Sequence, residues 1–591
     1  MKIATKLQRV LNNAVDTLLA ELGPGGFWEG SLSASALSTA VACVALSQPG
    51  QTADKLLVDR GLTWLRKTIL PDGSWGDTPE SPGNISTTLL CRCALLTDRQ
   101  AYAEPLRACE AWLERETGSL EPETIARVIR QTYGNDKTFS VPILSTAALT
   151  GTCPWERVPA LPVELSVMPQ RLFQWINMPV VSYALPALIS MGILRHRKSP
   201  SRNPLIRMLR SGCESSALKV LQRIQPESGG FLEAVPLTGF VLMSLTAAGH
   251  ADHPSAVRAA RFLQHSVRKD GSWAIDSNLA TWVTTLSVKA LCAADSPDAH
   301  LSANQRTVLR DWLHSQQFRD VHPYTNAAPG GWAWTDLPGG VPDADDTAGA
   351  LLALRHLNSS PQPAGENIIA GLKWLTGLQN ADGGIPTFCR GRTGLAFDKS
   401  CPDITAHALC AVSAWKEYLS SPMKEESDAF IARCLNYLIS DQQTDGSWNP
   451  LWFGNQHTPG KENPVYGTSR VLTALSDANH PRTAALHQKG AAWLISQQQS
   501  SGGWGGSKES PATIEETALA LTALARFEHT PENCLDRALT WLISETRECT
   551  TFAPSPIGLY FASLWYWERL YPIIFTIEAL GTLSARTGGS S

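Results

Sequence analysis

Apolar helical stretches alternate with short glycine-rich turns along most of the chain. The recurring unit is an apolar segment that often ends in glutamine, a turn written Asp-Gly-Ser-Trp or Gly-Gly-Trp, and a second apolar segment of the form Thr-Ala-x-Ala-Leu. Glycine permits the left-handed conformation that ends a helix, and the polar residues after it cap the next helix. Each unit is therefore predicted to be a helical hairpin. The turns contain Trp28, Trp75, Phe231, Trp273, Trp332, Gly384, Trp448 and Trp504.

Stacked helical hairpins with a period of about 40–60 residues predict either an open α-solenoid or a closed α-α barrel. The tryptophan of each turn is expected to lie across the joint between neighbouring units, and the glutamine to bond exposed helix ends. Residues 1–20 predict a further amphipathic helix rather than a signal peptide, because Lys6 and Arg9 interrupt the apolar pattern.

The second helices of the repeat align on a shared threonine. If the hairpins close into a barrel with these helices inside, the residues two places before the threonine lie at inner-helix N-termini around one end of a cavity. For Glu515 the expected role is helix capping. The five residues at this position are Val283, Asp345, Asp403, Tyr466 and Glu515.

Composition excludes several classes of protein. Of the 591 residues, 43% are apolar, only 18% are charged and 20 are tryptophan, which excludes a disordered chain and a collagen. A net charge of -4 gives no general attraction to nucleic acid, so no nucleic-acid partner is expected. The 13 cysteines form no Cys-x-x-Cys pair, which predicts reduced thiols in a cytosolic compartment and no zinc site.

Three carboxyl groups crowd the start of one predicted helix, at Asp343, Asp345 and Asp346. They could form a solvated helix cap, a magnesium or calcium site, or a carboxylic acid held protonated by its neighbours. A hard cation would require more oxygen ligands than this segment offers. Crowding of carboxyl groups in a dry cavity raises the pKa of at least one, which makes it a proton donor near neutral pH. The residues alone leave the cap and the acid open.

The segment Asp-Ala-Asp-Asp-Thr-Ala at 343–348 resembles the DxDD motif of class II terpene cyclases. The eight turns are similar to the Gln-Trp repeats of the squalene-hopene cyclase family, and the resemblance is strongest after Pro329. It implies an all-α fold of two α-α barrels: residues 1–20 with 250–591 as the catalytic barrel, and residues 21–249 as the second. It also implies cyclisation of a linear polyprene, begun by protonation of an alkene, without a metal ion or cofactor.

The resemblance assigns roles to individual acids. The proton donor of the family matches Asp345, flanked by Asp343 and Asp346. The histidine that hydrogen-bonds the donor lies in an Asp-Val-Thr-x-His stretch, which matches residues 403–407 and so selects Asp403 and His407. The repeat alignment placed Asp403 at the position equivalent to Asp345 without using the family.

Aromatic positions of the family cavity match six residues of this chain. Aromatic faces stabilise carbocations through the ring quadrupole without offering a nucleophile. An insertion within residues 453–465 rebuilds one cavity loop, and the nearest counterpart of the family's first cavity tryptophan is Trp175. The six aromatic matches are Trp282, Trp334, Phe388, Trp452, Tyr466 and Tyr571.

The substrate is left open between squalene, a related polyprene, and a polyprene with a polar head such as a C20 diphosphate. Arg390 and Arg392 follow Phe388, and two guanidinium groups beside an apolar cavity suit a diphosphate or carboxylate head. A solvated loop is the alternative for this segment. Two other classes also remain: a zinc-dependent protein prenyltransferase β-subunit and a non-catalytic helical-repeat scaffold.

Residues 172–194 carry no charge and are followed at once by Arg195-His196-Arg197-Lys198. Pro179 and Pro186 favour a buried barrel helix over a transmembrane helix. The basic run suits anionic lipid headgroups, and the resembling family is monotopic. The sequence therefore predicts a cytoplasmic protein with peripheral membrane contact, and a homodimer is compatible with it.

Overall fold

The computed structural model describes residues 2–48, 55–134, 136–175, 178–358, 363–391, 396–478, 480–559 and 563–588. Its first half contains helices α1 (Lys2–Ala20), α2 (Ala36–Leu46), α3 (Lys55–Thr68), α4 (Ile85–Leu95), α5 (Ala103–Thr117), α6 (Pro122–Tyr133), α7 (Lys137–Leu149), α8 (Gln170–Trp175), α9 (Leu185–Lys198), α10 (Pro204–Ile224), α11 (Val235–Ala247) and α12 (Pro254–His265).

The second half contains α13 (Ala280–Ala294), α14 (Pro297–His300), α15 (Ala303–Ser315), α16 (Ala344–Leu357), α17 (Glu366–Gly377), α18 (Pro402–Trp415), α19 (Ser421–Asp441), α20 (Pro464–Ala478), α21 (Ala484–Ser496), α22 (Ile514–Ala525), α23 (Glu532–Glu545) and α24 (Tyr571–Gly588). Two short antiparallel ribbons connect helices. They are formed by β1 (Ile385–Pro386) with β2 (Ser400–Cys401), and by β3 (Ile557–Leu559) with β4 (Leu564–Tyr566).

Six inner helices close a ring in the C-terminal part of the chain. Helices α13, α16, α18, α20, α22 and α24 each contact the next in this order, and α24 contacts α13. Helices α1, α15, α17, α19, α21 and α23 pack around the outside. All twelve residues of α22 are buried, whereas the outer α15 buries only Leu309 and Leu313, as expected for a helix with one face in water. This arrangement is an α-α barrel.

Five inner helices close a second ring, in the order α2, α4, α7, α9 and α11, with α11 against α2. Helices α3, α5, α6, α10 and α12 lie outside it. The predicted all-α fold of two α-α barrels is confirmed, and the end of the uncharged stretch before Arg195 forms the first ten residues of the inner helix α9, most of which are buried. Among the described residues, no helix combines the length and the apolar character needed to cross a bilayer.

The glycine-rich turns join outer helices to inner helices by a repeated set of hydrogen bonds. At Trp75 the indole Nε1 donates to the Leu65 carbonyl of α3, and the backbone N–H donates to Thr88 Oγ1 of α4, at 2.9 and 3.0 Å. Gly73 has φ +95°, and a Cβ there would lie 2.6 Å from the Ala108 carbonyl oxygen, so only glycine fits. The turn thus fixes the outer helix, the inner helix and the next outer helix together.

The glutamines complete the joints between neighbouring repeats. Gln442 Nε2 donates to the Gly446 carbonyl of its own turn and to the Leu486 carbonyl of α21. Gln379 bonds Gly383 and Phe430 in the same way. Each amide thus joins its own turn to the next outer helix. Phe430 lies in the middle of α19, so the acceptors are not confined to the exposed helix ends that the sequence pattern predicted.

Two turns link helices that are distant in sequence. The backbone N–H of Trp28, after α1, donates to Thr284 of α13, and that of Trp273, after α12, donates to Thr39 of α2. Helix α1 therefore completes the C-terminal barrel, and α12 completes the second. The predicted division near residue 249 stays a prediction. We propose a boundary between α12 and α13, because α12 contacts α10 and α11.

Candidate active site

The acidic segment forms the N-terminus of the inner helix α16. Asp343 is the N-cap, and its Oδ1 accepts a hydrogen bond from the backbone N–H of Asp346 at 2.9 Å. This bond places Asp345 in the first turn of the helix. Four of the five aligned positions, Asp345, Asp403, Tyr466 and Glu515, lie in the first turn of an inner helix of one barrel.

The alignment is wrong by one residue in α13. In α13, the backbone N–H of the glycine-rich turn donates to Thr284. In α16, the equivalent hydrogen bond goes to Thr347. The position equivalent to Asp345 is therefore Trp282 and not Val283. Tandem threonines at 284 and 285 concealed this register, because only the hydrogen bond distinguishes them.

Asp345 and His407 form the centre of the site. His407 lies in the second turn of α18, and its Nδ1 is 2.5 Å from Asp345 Oδ1. The side chains of His407 and Asp345 are only 8% and 13% exposed. The predicted pairing of these two residues is present, and it occurs inside the barrel, where water competes little with the hydrogen bond.

The three acids of the segment differ in acidity. Burial raises the pKa of Asp345, but the charge and the hydrogen bond of His407 outweigh it and hold that pKa below its usual value. Burial and the neighbouring Asp343 raise the pKa of Asp346 well above its usual range. Burial likewise raises the pKa of Asp343. The proton on Asp346 is therefore held tightly, whereas a proton on Asp345 is easily given up.

Asp403 lies next to the pair in the first turn of α18. Its Oδ1 accepts a hydrogen bond from Cys401 Sγ at 2.7 Å. Burial and the charge of Asp345 raise the pKa of Asp403 to about 6. Burial also lowers the pKa of His407, against the opposing effect of Asp345. The surroundings thus disfavour charge on every member of the group except Asp345.

Aromatic side chains border the acid pair on one side. The Trp282 indole lies edge-on to the His407 ring, with centroids 6.2 Å apart, and its Nε1 donates to Tyr571 Oη at 3.0 Å. The Tyr571 hydroxyl in turn lies 2.9 Å from that of Tyr566. Two of the six predicted aromatic residues therefore belong to the immediate surroundings of the acid.

A second aromatic group is centred on Phe388. Its ring lies 5.5 Å from Trp452 and 6.5 Å from Trp334, edge to face in both cases. The backbone N–H of Ala344 donates to the Thr387 carbonyl at 2.8 Å, which ties this group to the acidic segment. Tyr466 packs against Phe453 of the insertion at 4.9 Å. The predicted aromatic positions thus surround the end of the barrel that carries Asp345.

Sequence reasoning missed two members of the Phe388 group. Tyr183 lies 5.2 Å from the Phe388 ring and donates to the Phe388 carbonyl, and Phe397 lies 5.7 Å from the same ring. Tyr183 comes from the second barrel, so the group spans both domains. Trp175, in contrast, is 83% exposed and is not part of it.

The structure does not bring Arg390 to these aromatic residues. Its side chain is exposed and lines a surface groove with Gln379, Asn380 and Arg433. Arg392 lies outside the described residues. Within the described ranges, no group of three or more His, Cys, Asp or Glu side chains is arranged as metal ligands.

Known proteins share this architecture. The enfumafungin synthase efuA of Hormonema carpetanum is 25% identical over 94% of this chain, which spans 46% of that protein. A probable squalene-hopene cyclase of Sinorhizobium fredii is 24% identical, over 91% of this chain and 90% of its own. The solved ent-copalyl diphosphate synthase of Streptomyces platensis has the same fold, with a TM-score of 0.59 at 17% identity and coverage of 99% and 100%.

Two family descriptions match the chain directly. Residues 11–214 match the squalene-hopene cyclase N-terminal domain, and residues 277–584, more than half of the chain, match the squalene-hopene cyclase C-terminal domain. The second match contains α16 and α18, which carry Asp345 and His407. This chain therefore belongs to the squalene-hopene cyclase family of class II terpene cyclases.

Proposed function

We propose that this protein cyclises a linear polyprene and that Asp345 is the acid that starts the reaction. The observation that carries the proposal is the 2.5 Å contact between Asp345 and His407, buried at the aromatic end of the barrel. A carboxyl group with a low pKa is a strong proton donor once it carries a proton. The bond to His407 gives Asp345 that property and fixes its orientation.

The reaction follows from proton transfer to a terminal alkene. The alkene π electrons take the Asp345 proton to form a C–H bond, which leaves a carboxylate on the protein and a positive charge on the adjacent carbon. The next alkene attacks this cation and closes a ring, and the step repeats. Loss of a proton from carbon, or capture of water followed by loss of a proton, ends the sequence.

Aromatic faces suit the travelling charge. Trp282 lies next to the acid pair, and Trp334, Phe388 and Trp452 form the adjoining group. A cation above such a face is stabilised by about 0.5–2 kcal/mol per ring, and no ring atom traps it covalently. We therefore assign these residues, with Tyr466 and Tyr571, to the substrate-binding surface.

The nature of the polyprene stays a proposal. Squalene or a related apolar polyprene fits an acid surrounded by apolar and aromatic residues. A prenyl diphosphate would need a cationic contact for its head, and the exposed position of Arg390 does not support the role that the sequence suggested for it. The diphosphate alternative therefore depends on the experiment and not on this residue.

A product survey tests the proposed function. Purified protein is incubated with squalene and with C20 to C35 polyprenes, each with and without a diphosphate, and the products are identified by mass spectrometry. We expect a cyclised product of the same mass as its substrate, or of that mass plus one water. If no substrate yields more cyclised product than heat-denatured protein does, the proposal is wrong and a non-catalytic repeat scaffold is favoured.

We also propose that the second barrel contacts a lipid surface. Leu205, Met208 and Leu209 form an exposed apolar face on α10 and are 69%, 70% and 51% exposed. Arg202 precedes α10 and Arg207 lies within it, and both are exposed. Cationic side chains near an apolar face favour a leaflet that contains anionic headgroups. A cytoplasmic location and a homodimer stay predictions.

Vesicle sedimentation tests this contact. A variant with serine at Leu205, Met208 and Leu209 is compared with the parent on vesicles with and without anionic lipid. We expect the parent to sediment most with anionic vesicles and the variant to stay in the supernatant. Val321→Ser, at a 55% exposed position of the other barrel, is the matched control and should sediment like the parent. Equal sedimentation of parent and triple variant would exclude this face.

A further inference from the structure

Arg470 is a buried cation without a partner. It lies on the inner helix α20, one turn after Tyr466, and is only 9% exposed. Its guanidinium group makes no hydrogen bond or ion pair with any part of the chain that the structure describes. Burying an unpaired charge is unfavourable, so this arginine weakens the fold unless a nearby group compensates its charge.

The repeat places Arg470 at the same depth in the barrel as His407. Each lies two residues after the threonine that receives a turn's backbone N–H, Thr405 in α18 and Thr468 in α20. These two helices are neighbours in the ring. The equivalent residue of α16 is Gly349, where a Cβ would lie 2.9 Å from Thr285 Oγ1 and 3.7 Å from His407 Cε1, so α16 contributes no side chain to this layer. The imidazole and the guanidinium therefore share one layer beneath Asp345.

The other cations in this barrel interior are already neutralised. Lys289 lies 3.0 Å from Glu578, and Arg526 pairs with Asp477 and lies 3.7 Å from Glu578. Arg470 is therefore the surplus positive charge among these groups. In the first turns of the neighbouring helices α16 and α18, Asp346 and Asp403 make no ion pair with any described residue, and Asp345 is paired only with His407.

We propose that Arg470 is a positioning residue for the acid, whose fixed positive charge stabilises the Asp345 carboxylate that forms when the proton leaves for the alkene. The inference rests on the proposed function of Asp345. In an interior that excludes water, the carboxylate has few other sources of stabilisation. His407 supplies the hydrogen bond, and Arg470 supplies a charge that does not depend on pH.

The electrostatics around Arg470 agree with this role. Burial lowers its pKa, but Tyr466, Asp345, Glu578 and Asp403 outweigh burial and raise it, so the group stays charged. Arg470 is also one of the groups that hold the pKa of Asp345 down, after His407 and ahead of Lys289. The titratable groups around Asp345 are therefore His407, Arg470, Lys289, Tyr466, Glu578, Asp403, Asp343 and Asp346.

Two substitutions at Arg470 test the inference. Arg470→Met removes the charge and keeps the length, and Arg470→Lys keeps the charge. With Met we expect kcat to fall about tenfold, the equivalent of one pKa unit of acidity. The pH at which the rate falls on the alkaline side should also rise by about one unit. This is the low end of the pKa shifts that a nearby charge causes. Arg470→Lys should retain kcat and the pH profile of the parent.

Thermal stability separates this role from a structural one. Because Arg470 makes no hydrogen bond or ion pair within the described chain and Met keeps its length, the Tm of Arg470→Met is expected to stay close to that of the parent, while its kcat falls. If this variant does not fold, Arg470→Gln replaces it in the comparison. Arg482→Gln, an exposed arginine bonded to Asn436, is the matched control and should change neither quantity.

The outcomes are distinct. Cyclised product from the parent with unchanged kcat and pH profile in Arg470→Met would overturn the inference and leave the proposed function intact. A loss of kcat in Arg470→Lys as large as in Arg470→Met would overturn it too, because charge would not be the property that matters. Absence of product from the parent itself would refute the proposed function, and the inference with it.

Discussion

At the scale of single residues, the acids of the acidic segment have two different roles, helix capping and contact with His407, which their sequence does not distinguish. Asp343 caps α16 through the Asp346 N–H, and Asp346 keeps its proton because burial and Asp343 raise its pKa. Asp345 alone receives the His407 imidazole. A carboxyl with a raised pKa holds its proton, whereas one with a lowered pKa gives it up readily, so Asp345 is the stronger acid of the three.

The rate of cyclisation is expected to fall as pH rises. Asp345 can donate a proton only while its pair with His407 holds one, and burial lowers the pKa of His407, while His407 lowers that of Asp345. The Asp345–His407 pair therefore loses its last titratable proton at a pH below about 6.5, the ordinary pKa of histidine. We expect the midpoint of the fall in kcat below about pH 6.5, measured by initial rates between pH 4.5 and 8.5. A rate that is constant up to pH 8 would contradict this assignment.

At the scale of secondary-structure elements, the glycine-rich turn is the unit that holds the barrels together. Each complete turn uses an indole N–H, a backbone N–H and a glutamine amide to bond three different helices. Trp448, for example, donates to the Leu438 carbonyl of α19 and to Thr468 of α20, and Gln442 reaches α21. The turns are therefore structural, and their tryptophans do not take part in the proposed chemistry.

Replacing one turn tryptophan should cost stability without changing the reaction. Trp75→Phe removes the Nε1 bond to the Leu65 carbonyl and leaves that carbonyl buried. We expect the free energy of unfolding to fall by about 2 kcal/mol, seen as a lower Tm, with kcat unchanged. The exposed Trp175→Phe is the control and should keep the parent Tm. An unchanged Tm in Trp75→Phe would mean that the indole bond contributes nothing.

The repeat made most elements predictable, because each turn carries its own local signal. Glycine, tryptophan and the following threonine mark where an outer helix ends and an inner helix begins. The segment from Glu104 to Leu221 lacks such turns, and there only the buried helix α9 was predicted, from its uncharged stretch. Tyr183 belongs to this segment, so its contact with Phe388 had no signal along the chain.

Site residues were predictable where they belong to the recognised motif or occupy equivalent positions in the repeat. Asp345 and His407 were predicted from the motif, and the register agreed for Asp403. The position of Arg470 is also visible in the sequence, because it occupies the same repeat position as His407. Arg390 was predicted from its charge and its position after Phe388, and neither tells whether a side chain next to a buried Phe388 points inward or outward.

At the scale of the whole molecule, the N-terminal helix α1 belongs to the barrel formed by the C-terminal part of the chain. Helix α1 packs on α24 and α13, across the full length of the sequence, and Trp28 bonds Thr284. Trp565 donates to Asp77 Oδ2, which links the β3–β4 ribbon to the second barrel. The aromatic group around Phe388 receives Tyr183 at this same junction. We therefore expect the two barrels to be required together for activity.

Stability is expected to fall as pH rises from about 7 to 8.5. Burial and Glu516 raise the pKa of Glu515 to about 8 in the folded protein, whereas the unfolded chain has already ionised this group. The folded state therefore holds one more proton than the unfolded chain, so its stability falls as pH rises towards the folded pKa and levels off above it. Histidines that fold neutral act below this range.

The measurement is Tm against pH for the parent and for Glu515→Gln. The variant has no group to titrate at that position, so its Tm should change less between pH 7 and 8.5. Glu509→Gln, at an exposed position of the same turn, should behave like the parent. An equal change of Tm with pH in the parent and in Glu515→Gln would show that Glu515 does not fold in its protonated form.

The central claim is that Asp345 donates the proton that starts cyclisation. Asp345→Asn keeps the size of the side chain and removes the acid, so it tests this claim most directly. Parent and variant are incubated with the polyprene that the parent cyclises, and cyclised product is quantified by mass spectrometry. We predict that the variant folds with a Tm close to that of the parent and forms almost no cyclised product. Product formation by Asp345→Asn at the parent's rate would contradict the claim.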